Sequence, residues 1–499
     1  MVGCAVRTDA GRASYGARPP ARRSTPVSSA RSWTLRVTIG LVTAVAAIAA
    51  TTSTAAAAPD VSDPPEVVVQ PPLAPFTWPT IPEFDTGFYR PPADVVAAAE
   101  PGQIIAARPV ELATLNVIPT QVDAWQLSFR SNNGRDEPIA AVTTVIKPRG
   151  VPAAPRPLIS IQLAEDSLAA YCAPSYAMRA GAIPWPVTGA VTSGAQFLEV
   201  QAALAQGWAV SVPDHQGPNN SFAAGPVAGR ITLDGIRAAE NFAPMQLSGE
   251  ATKVGMSGYS GGAIATGHAA ELAGSYAPEL DIVGVTEGGT PAELGALVDN
   301  ANNALGSGIV AAGIIGASRE DPELADFIDR HIDPLGRTLF AAKDNLCVGY
   351  SSALLPFVNL KGFLHTDGDP IQQPVVKKAL SAMRLGGTTP NMPLYVYHSN
   401  PDWLVPIGPV NAMVDSYCSR PGADVTYTRD HFSEHITLEL IAFPSAVLWM
   451  RDRFAGVPVE PGCRTNDVGS MALDTRAHPL FVDAVGEIIA GLFGKPIGA

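Results

Sequence analysis

Apolar positions along this chain fall into short runs separated by stretches with helical spacing. Residues 138–147, 158–163 and 208–212 read as strands, and the last is apolar almost throughout, as in a strand buried on both faces. Residues 252–256 and 282–285 continue the pattern, and 394–397 and 425–427 resume it after a long interval. Between them, 197–206 reads as a helix stopped by Gly207, 231–242 as an amphipathic helix, and 263–276 as another helix. Strands alternating with helices predict a mostly parallel central sheet with helices on both faces.

Residues 291–390 break this alternation. Roughly a hundred residues is too long for a crossover between two sheet strands. The interval holds a glycine-broken apolar stretch, 305–317, and a charged helix-like stretch, 321–330. It reads as a large, mainly helical cap inserted into the sheet domain, with a second independent domain as the alternative. The core is thereby split into 93–290 and 391–455, with 456–499 left as a C-terminal tail or flap. Residues 59–92 are proline-rich and read as an extended arm or linker.

The first 58 residues have the order of a secretory signal. Arg18, Arg22, Arg23, Arg31 and Arg36 precede the apolar run 37–50, and Ala55 to Ala58 supply cleavage sites. The run is shorter than the roughly 20 residues of a comfortable membrane span, so cleavage is expected rather than a retained anchor. The basic region is long, and the true start can lie further along. Export predicts an extracellular protein and leaves open an association with the cell envelope. It also permits disulfides. The mature chain keeps Cys172, Cys347, Cys418 and Cys463, for which three pairings exist. At 499 residues and 46% hydrophobic, the chain can bury a large core, and its net charge of −13 argues against a nucleic-acid partner.

The chemistry is concentrated at Gly258-Tyr259-Ser260-Gly261-Gly262, between the strand at 252–256 and the helix at 263–276. G-x-S-x-G in that setting is the nucleophile elbow of α/β-hydrolases. The turn is so sharp that the serine backbone is strained and its neighbours have no room for a Cβ. Such a serine needs a base, and the base an orienting acid, in the chain order Ser, Asp or Glu, His. Asp402 directly follows the strand 394–397, whereas Asp415 falls in the next helix and Asp424 begins a strand. The base is expected after the last strand, where His431 and His435 compete; His435 adjoins the helix start and is preferred. His398 precedes the acid and fits the order poorly. The same segment spells H-x-x-E-H, an inverted zinc-protease pattern, but no third ligand stands out downstream. An oxyanion hole needs two backbone N–H donors. Gly261 is one; the loop 213–217, after the buried strand at 208–212, offers Asp214 as the other, unless Asp214 is a plain loop aspartate.

With these residues in place, the chain resembles the secretory lipases of the Candida antarctica lipase A type. The resemblance runs from about residue 88 to Cys463. It is carried by Pro213-Asp214-His215-Gln216-Gly217, by 233–238, by Gly258-Tyr259-Ser260-Gly261-Gly262-Ala263, by 275–280 and 288–291, and by Pro401-Asp402, Val405-Pro406 and Glu434-His435. It implies Ser260 as nucleophile, Asp402 as acid, His435 as base, and oxyanion donors at Asp214 and Gly261. It also implies the pairs Cys172 with Cys347 and Cys418 with Cys463, and a cap that shapes an acyl site. Residues 464–499 depart from the family pattern. The expected protein is a secreted α/β-hydrolase that cleaves fatty-acid esters, triacylglycerols among them, at a lipid–water interface and without a cofactor or metal. A non-lipolytic esterase or acyltransferase with the same triad, a zinc peptidase and a non-catalytic binding protein are the alternatives.

Overall fold

The computed structural model describes residues 78–498 and the backbone of the short strand Val68–Val69. The expected signal and most of the proline-rich arm lie outside the described residues. The main sheet contains β1 (Val68–Val69), β2 (Ile104–Pro109), β5 (Val122–Asn132), β6 (Pro138–Pro148), β7 (Leu158–Gln162), β8 (Ala209–Pro213), β9 (Val254–Tyr259), β10 (Ile282–Gly288), β11 (Leu394–Ser399), β12 (Val425–Asp430) and β13 (Cys463–Val468). A separate ribbon pairs β3 (Ala113–Thr114) with β4 (Ile118–Pro119). The main order is β1-β2-β5-β6-β8-β7-β9-β10-β11-β12-β13. Pairing is antiparallel from β2 through β5 and β6 to β8, and parallel from β8 to β13. This is the α/β-hydrolase fold.

Helices cover both faces. On one side α2 (Gly225–Asn241) and α3 (Gly261–Tyr276) bury Ile231, Ile236 and Ala269 against Leu127, Phe129 and Val254. On the other, α1 (Val191–Ala205) sets Phe197, Val200 and Leu204 against Ile159, Ile161 and Val210. β7, β8 and β9 are buried along their whole length, because helices lie above and below them.

Between β10 and β11 the chain builds α4 (Leu294–Ala301), α5 (Ser307–Glu320), α6 (Pro322–His331), α7 (Pro334–Lys343), α8 (Val348–Ala353) and α9 (Pro374–Ala382). The apolar stretch at 305–317 becomes α5, whose buried Ala312 and Ile315 pack with Leu324 of α6 and Ala379 of α9. The Asp321 side chain caps α6 by accepting from the Glu323 and Leu324 N–H groups, which ends the apolar stretch and begins the charged one. After β11 come α10 (Ile407–Cys418), β12 and α11 (His435–Phe454).

The structure adds detail to two segments that the sequence reading left without elements. The end of the arm is docked rather than free: Phe88 is buried, and Asp85 pairs with the buried Arg108. The tail is also ordered. It supplies edge strand β13 and helix α12 (His478–Leu492), whose Leu480 joins the core beneath α1. β13 is polar and mostly exposed, so no apolar alternation marked it in advance.

Candidate active site

Ser260 stands between β9 and α3 at the carboxyl edge of the sheet, with φ 51° and ψ −121°. A non-glycine residue in that region costs on the order of 1–3 kcal/mol, and the surrounding contacts hold it there. The flanking glycines are forced by close approach. A Cβ at Gly258 would lie 2.3 Å from Thr266 Oγ1, and one at Gly262 1.9 Å from the Gln162 carbonyl oxygen.

The structure brings Ser260, His435 and Asp402 together. The Ser260 hydroxyl donates to His435 Nε2 at 2.8 Å, and His435 Nδ1–H donates to Asp402 Oδ2 at 2.6 Å. The second Asp402 oxygen accepts the N–H groups of Leu404 (2.9 Å) and Val405 (2.8 Å). The Asp402 side chain is fully buried and that of His435 nearly so. His435 is the first residue of α11. The Glu434 carboxylate caps that helix, accepting from Ile436 and Thr437. Burial pushes the Glu434 carboxyl up, but the Thr437 hydroxyl and the two N–H bonds prevail and hold it at about 2. Trp403 Nε1–H also donates to Glu434 at 2.8 Å, tying the acid loop to the base loop. The Tyr259 hydroxyl donates to the His435 carbonyl at 2.6 Å.

The base loop is held from behind by Asp430. One of its oxygens accepts from Phe432 and Ser433, and the other accepts the Met471 N–H at 2.7 Å, from the C-terminal tail. The other candidates lie elsewhere. Asp415 is on the exposed side of α10, and Asp424 accepts from the Gly462 N–H. His431 is exposed and bonds Asp467 on β13 at 2.9 Å. His431, Glu434 and His435 thus have separate partners and do not converge on a common point.

The expected second oxyanion donor requires correction. The Asp214 N–H is consumed by the Val142 carbonyl at 2.9 Å, and its buried carboxylate accepts from the N–H and hydroxyl of Ser175. The loop that faces the elbow follows β7 instead, because β7 lies next to β9 in the sheet and β8 lies one strand further out. That loop presents Asp166, at φ 46°, which shares a cavity wall with Ser260 and Gly261. A Cβ on Gly261 would lie 1.6 Å from Asp166 Oδ1. Neither the Asp166 nor the Gly261 N–H donates to a backbone carbonyl elsewhere among the described residues. The 213–217 loop buttresses this arrangement: His215 Nε2–H donates to the Leu163 carbonyl at 2.8 Å, and the Gln216 amide bonds both the N–H and the carbonyl of Ser167. Burial raises the Asp166 carboxyl to about 7; His435 and the residue's own backbone N–H pull it down, and Glu439 pushes it up.

From Ser260 a cavity of about 110 Å³ runs in among the helices between β10 and β11. Its wall is apolar, with Phe222, Ile264, Leu294, Ile309 and Met383 among the residues lining it; Asp166 and Lys361 are its charged residues. The cap is tied to the Asp166 loop by the disulfide Cys172–Cys347 and by two hydrogen bonds, Leu168 N–H to Leu346 O and Val348 N–H to Ser167 Oγ. A second disulfide, Cys418–Cys463, joins α10 to β13. Among the described residues no helix is long and apolar enough to cross a membrane.

The secretory lipase family model matches residues 183–462. A relative from Mycobacterium tuberculosis, named a "probable inactive lipase", is 38% identical over 377 residues, 75% of this chain and 83% of that protein. Lipase A of Arthroderma benhamiae is 31% identical over 84% of this chain and 89% of its own length. A secreted triacylglycerol lipase of Malassezia restricta is 32% identical over 82% and 88%. Among solved structures, Candida antarctica lipase A in its closed state superposes with a TM-score of 0.74 at 28% identity, covering 85% of this chain and 99% of that one. The matched stretch takes in the elbow, the whole cap and the loops that carry Asp402 and His435, and this chain belongs to the secretory lipase family of carboxylic ester hydrolases.

Proposed function

We propose that the protein is an exported serine lipase that hydrolyses long-chain fatty acyl esters, triacylglycerols included, through an acyl-enzyme on Ser260. His435 takes the hydroxyl proton as Oγ attacks the ester carbonyl. The oxyanion that forms is stabilised by the N–H groups of Gly261 and Asp166, each worth roughly 3–4 kcal/mol in such a site. His435 then gives its proton to the leaving alcohol. Water, deprotonated by the same imidazole, attacks the acyl-enzyme; the imidazolium returns that proton to Ser260 Oγ as the acyl–oxygen bond breaks, and the fatty acid leaves. Asp402 holds the Nδ1–H tautomer and stabilises the imidazolium without taking the proton.

The observation that carries this reading is the pair of hydrogen bonds, 2.8 and 2.6 Å, beside a cavity whose wall includes Ser260 and is otherwise almost wholly apolar. Export is supported by the two disulfides, by the N-terminal pattern and by relatives named as secreted. The relative named as inactive makes activity the first thing to measure. The test is hydrolysis of p-nitrophenyl esters from acetate to palmitate and of emulsified triglyceride, with Ser260→Ala alongside. Long-chain and triglyceride turnover that vanishes in Ser260→Ala is expected. Turnover confined to short soluble esters overturns the lipase reading, and turnover that survives Ser260→Ala overturns the mechanism.

A further inference from the structure

His398 takes no part in the proton relay, yet it lies directly beneath it. It is the fifth residue of β11, fully buried, four positions before Asp402. Its Nε2 is 3.0 Å from the Val405 carbonyl oxygen and 3.8 Å from Asp402 Oδ2. A carbonyl can only accept, so Nε2 carries the hydrogen and Nδ1 is bare; Nδ1 has no partner among the described residues. Val405 is therefore held at both ends. Its N–H donates to Asp402 Oδ1 at 2.8 Å, and its carbonyl accepts from His398. Val405 and Leu404 also line the cavity beside Ser260.

The charged and titratable groups around the ring are few. Asp402 faces it from its own loop and His435 from α11. Arg429, its registered neighbour on β12, turns its guanidinium to Asp467. Burial pushes the His398 imidazole down to about 4, against the opposing pull of Asp402 and the Val405 carbonyl, so the ring is neutral near pH 7.

We infer that His398 is a positioning residue: its Nε2–H clamps the turn from Asp402 to Val405 and thereby fixes the plane in which the Asp402 carboxylate grips His435. This rests on the reading of Asp402 and His435 as acid and base. A turn freed at Val405 lets the carboxylate rotate away from Nδ1. The loss falls on the transition state, where His435 is an imidazolium, rather than on substrate binding.

Glutamine and asparagine variants test it in the full-length enzyme. The Gln side chain places an amide N–H where Nε2 stood, within reach of the Val405 carbonyl; the Asn side chain places it at Nδ1, where nothing accepts it. His398→Gln is expected to keep kcat within about threefold, and His398→Asn to lose about tenfold or more with KM within about twofold, as for a misaimed catalytic group. In His398→Asn the acid limb of kcat/KM should also move to lower pH, because the imidazolium has lost part of its counter-charge. Thermal melts taken alongside establish that both variants fold. Equal kcat and an unmoved acid limb in the two variants overturn the inference, and so does equal loss in both, which marks a packing role. Asp402→Asn is the control: if it retains full kcat, the acid–base reading itself fails, whatever His398 does.

Discussion

Gly261 and Asp166 approach so closely that a single methyl group cannot fit between them: a Cβ on Gly261 would sit 1.6 Å from Asp166 Oδ1. These residues follow different strands, β9 and β7, and their N–H groups form the proposed oxyanion hole. Gly261→Ala must displace the Asp166 carboxyl, and the N–H of the same residue is expected to move with it. The expected result is a fall in kcat of about 10²–10³ with the fold retained, equivalent to losing one donor. Steady-state kinetics on p-nitrophenyl butyrate, with circular dichroism as the folding control, measure it; kcat within threefold of wild type counts against Asp166 as the second donor.

Gly313 lies on α5 in the cavity wall, where an added Cβ would make ordinary contacts with Ala223 and Phe222 at 3.6 and 3.7 Å. Gly313→Leu is therefore tolerated by the fold but extends into the space proposed for the acyl chain. The ratio of kcat/KM for palmitate over butyrate esters should fall at least about tenfold, with butyrate turnover little changed. A uniform loss across chain lengths would place the acyl chain elsewhere.

The two disulfides close loops with sequence separations of 175 and 45 residues. Chain entropy alone makes them worth about 5 and about 4 kcal/mol. Their effects on activity should differ. Cys347→Ser releases the cap from the Asp166 loop and should lower kcat as well as the melting temperature. Cys463→Ser frees an edge strand and should lower mainly the melting temperature. Melting curves and kcat for both variants decide this.

Asp214 and Asp166 are buried carboxyls raised to about 7, chiefly by desolvation. Between about pH 4 and pH 7 the native state holds protons that the unfolded chain has released, so stability falls as pH rises through that window, by up to about 1.4 kcal/mol per unit for each group. Asp214→Asn removes one such group and should flatten the slope. Urea midpoints from pH 4.5 to 7.5 show it; an unchanged slope means that Asp214 is already ionised at the acid end.

Much of the site was legible because each part obeys a local rule. The elbow glycines are dictated by sterics within a few residues, and Asp402 and His435 each follow a strand that the apolar pattern marks. The oxyanion partner was misplaced for a physical reason. The strand at 208–212 is nearer the elbow in sequence, but β7 is nearer in the sheet, and adjacency in the sheet decides which loop reaches Ser260. Nothing in the spacing of apolar residues encodes that crossover. β13 escaped because its residues are polar and it pairs with β12 through backbone bonds and an Arg429–Asp467 ion pair, with no apolar alternation. The docked segment around Phe88 was hidden by the prolines on either side of it.

The bond from the Met471 N–H to Asp430 links the candidate site to the last part of the chain. Ser260, Asp402 and His435 are spread over 175 positions, and the loop that carries His435 is held partly by the tail beyond it. The geometry of the candidate base therefore depends in part on residues more than thirty positions downstream of it, in a segment that shares no cavity wall with Ser260.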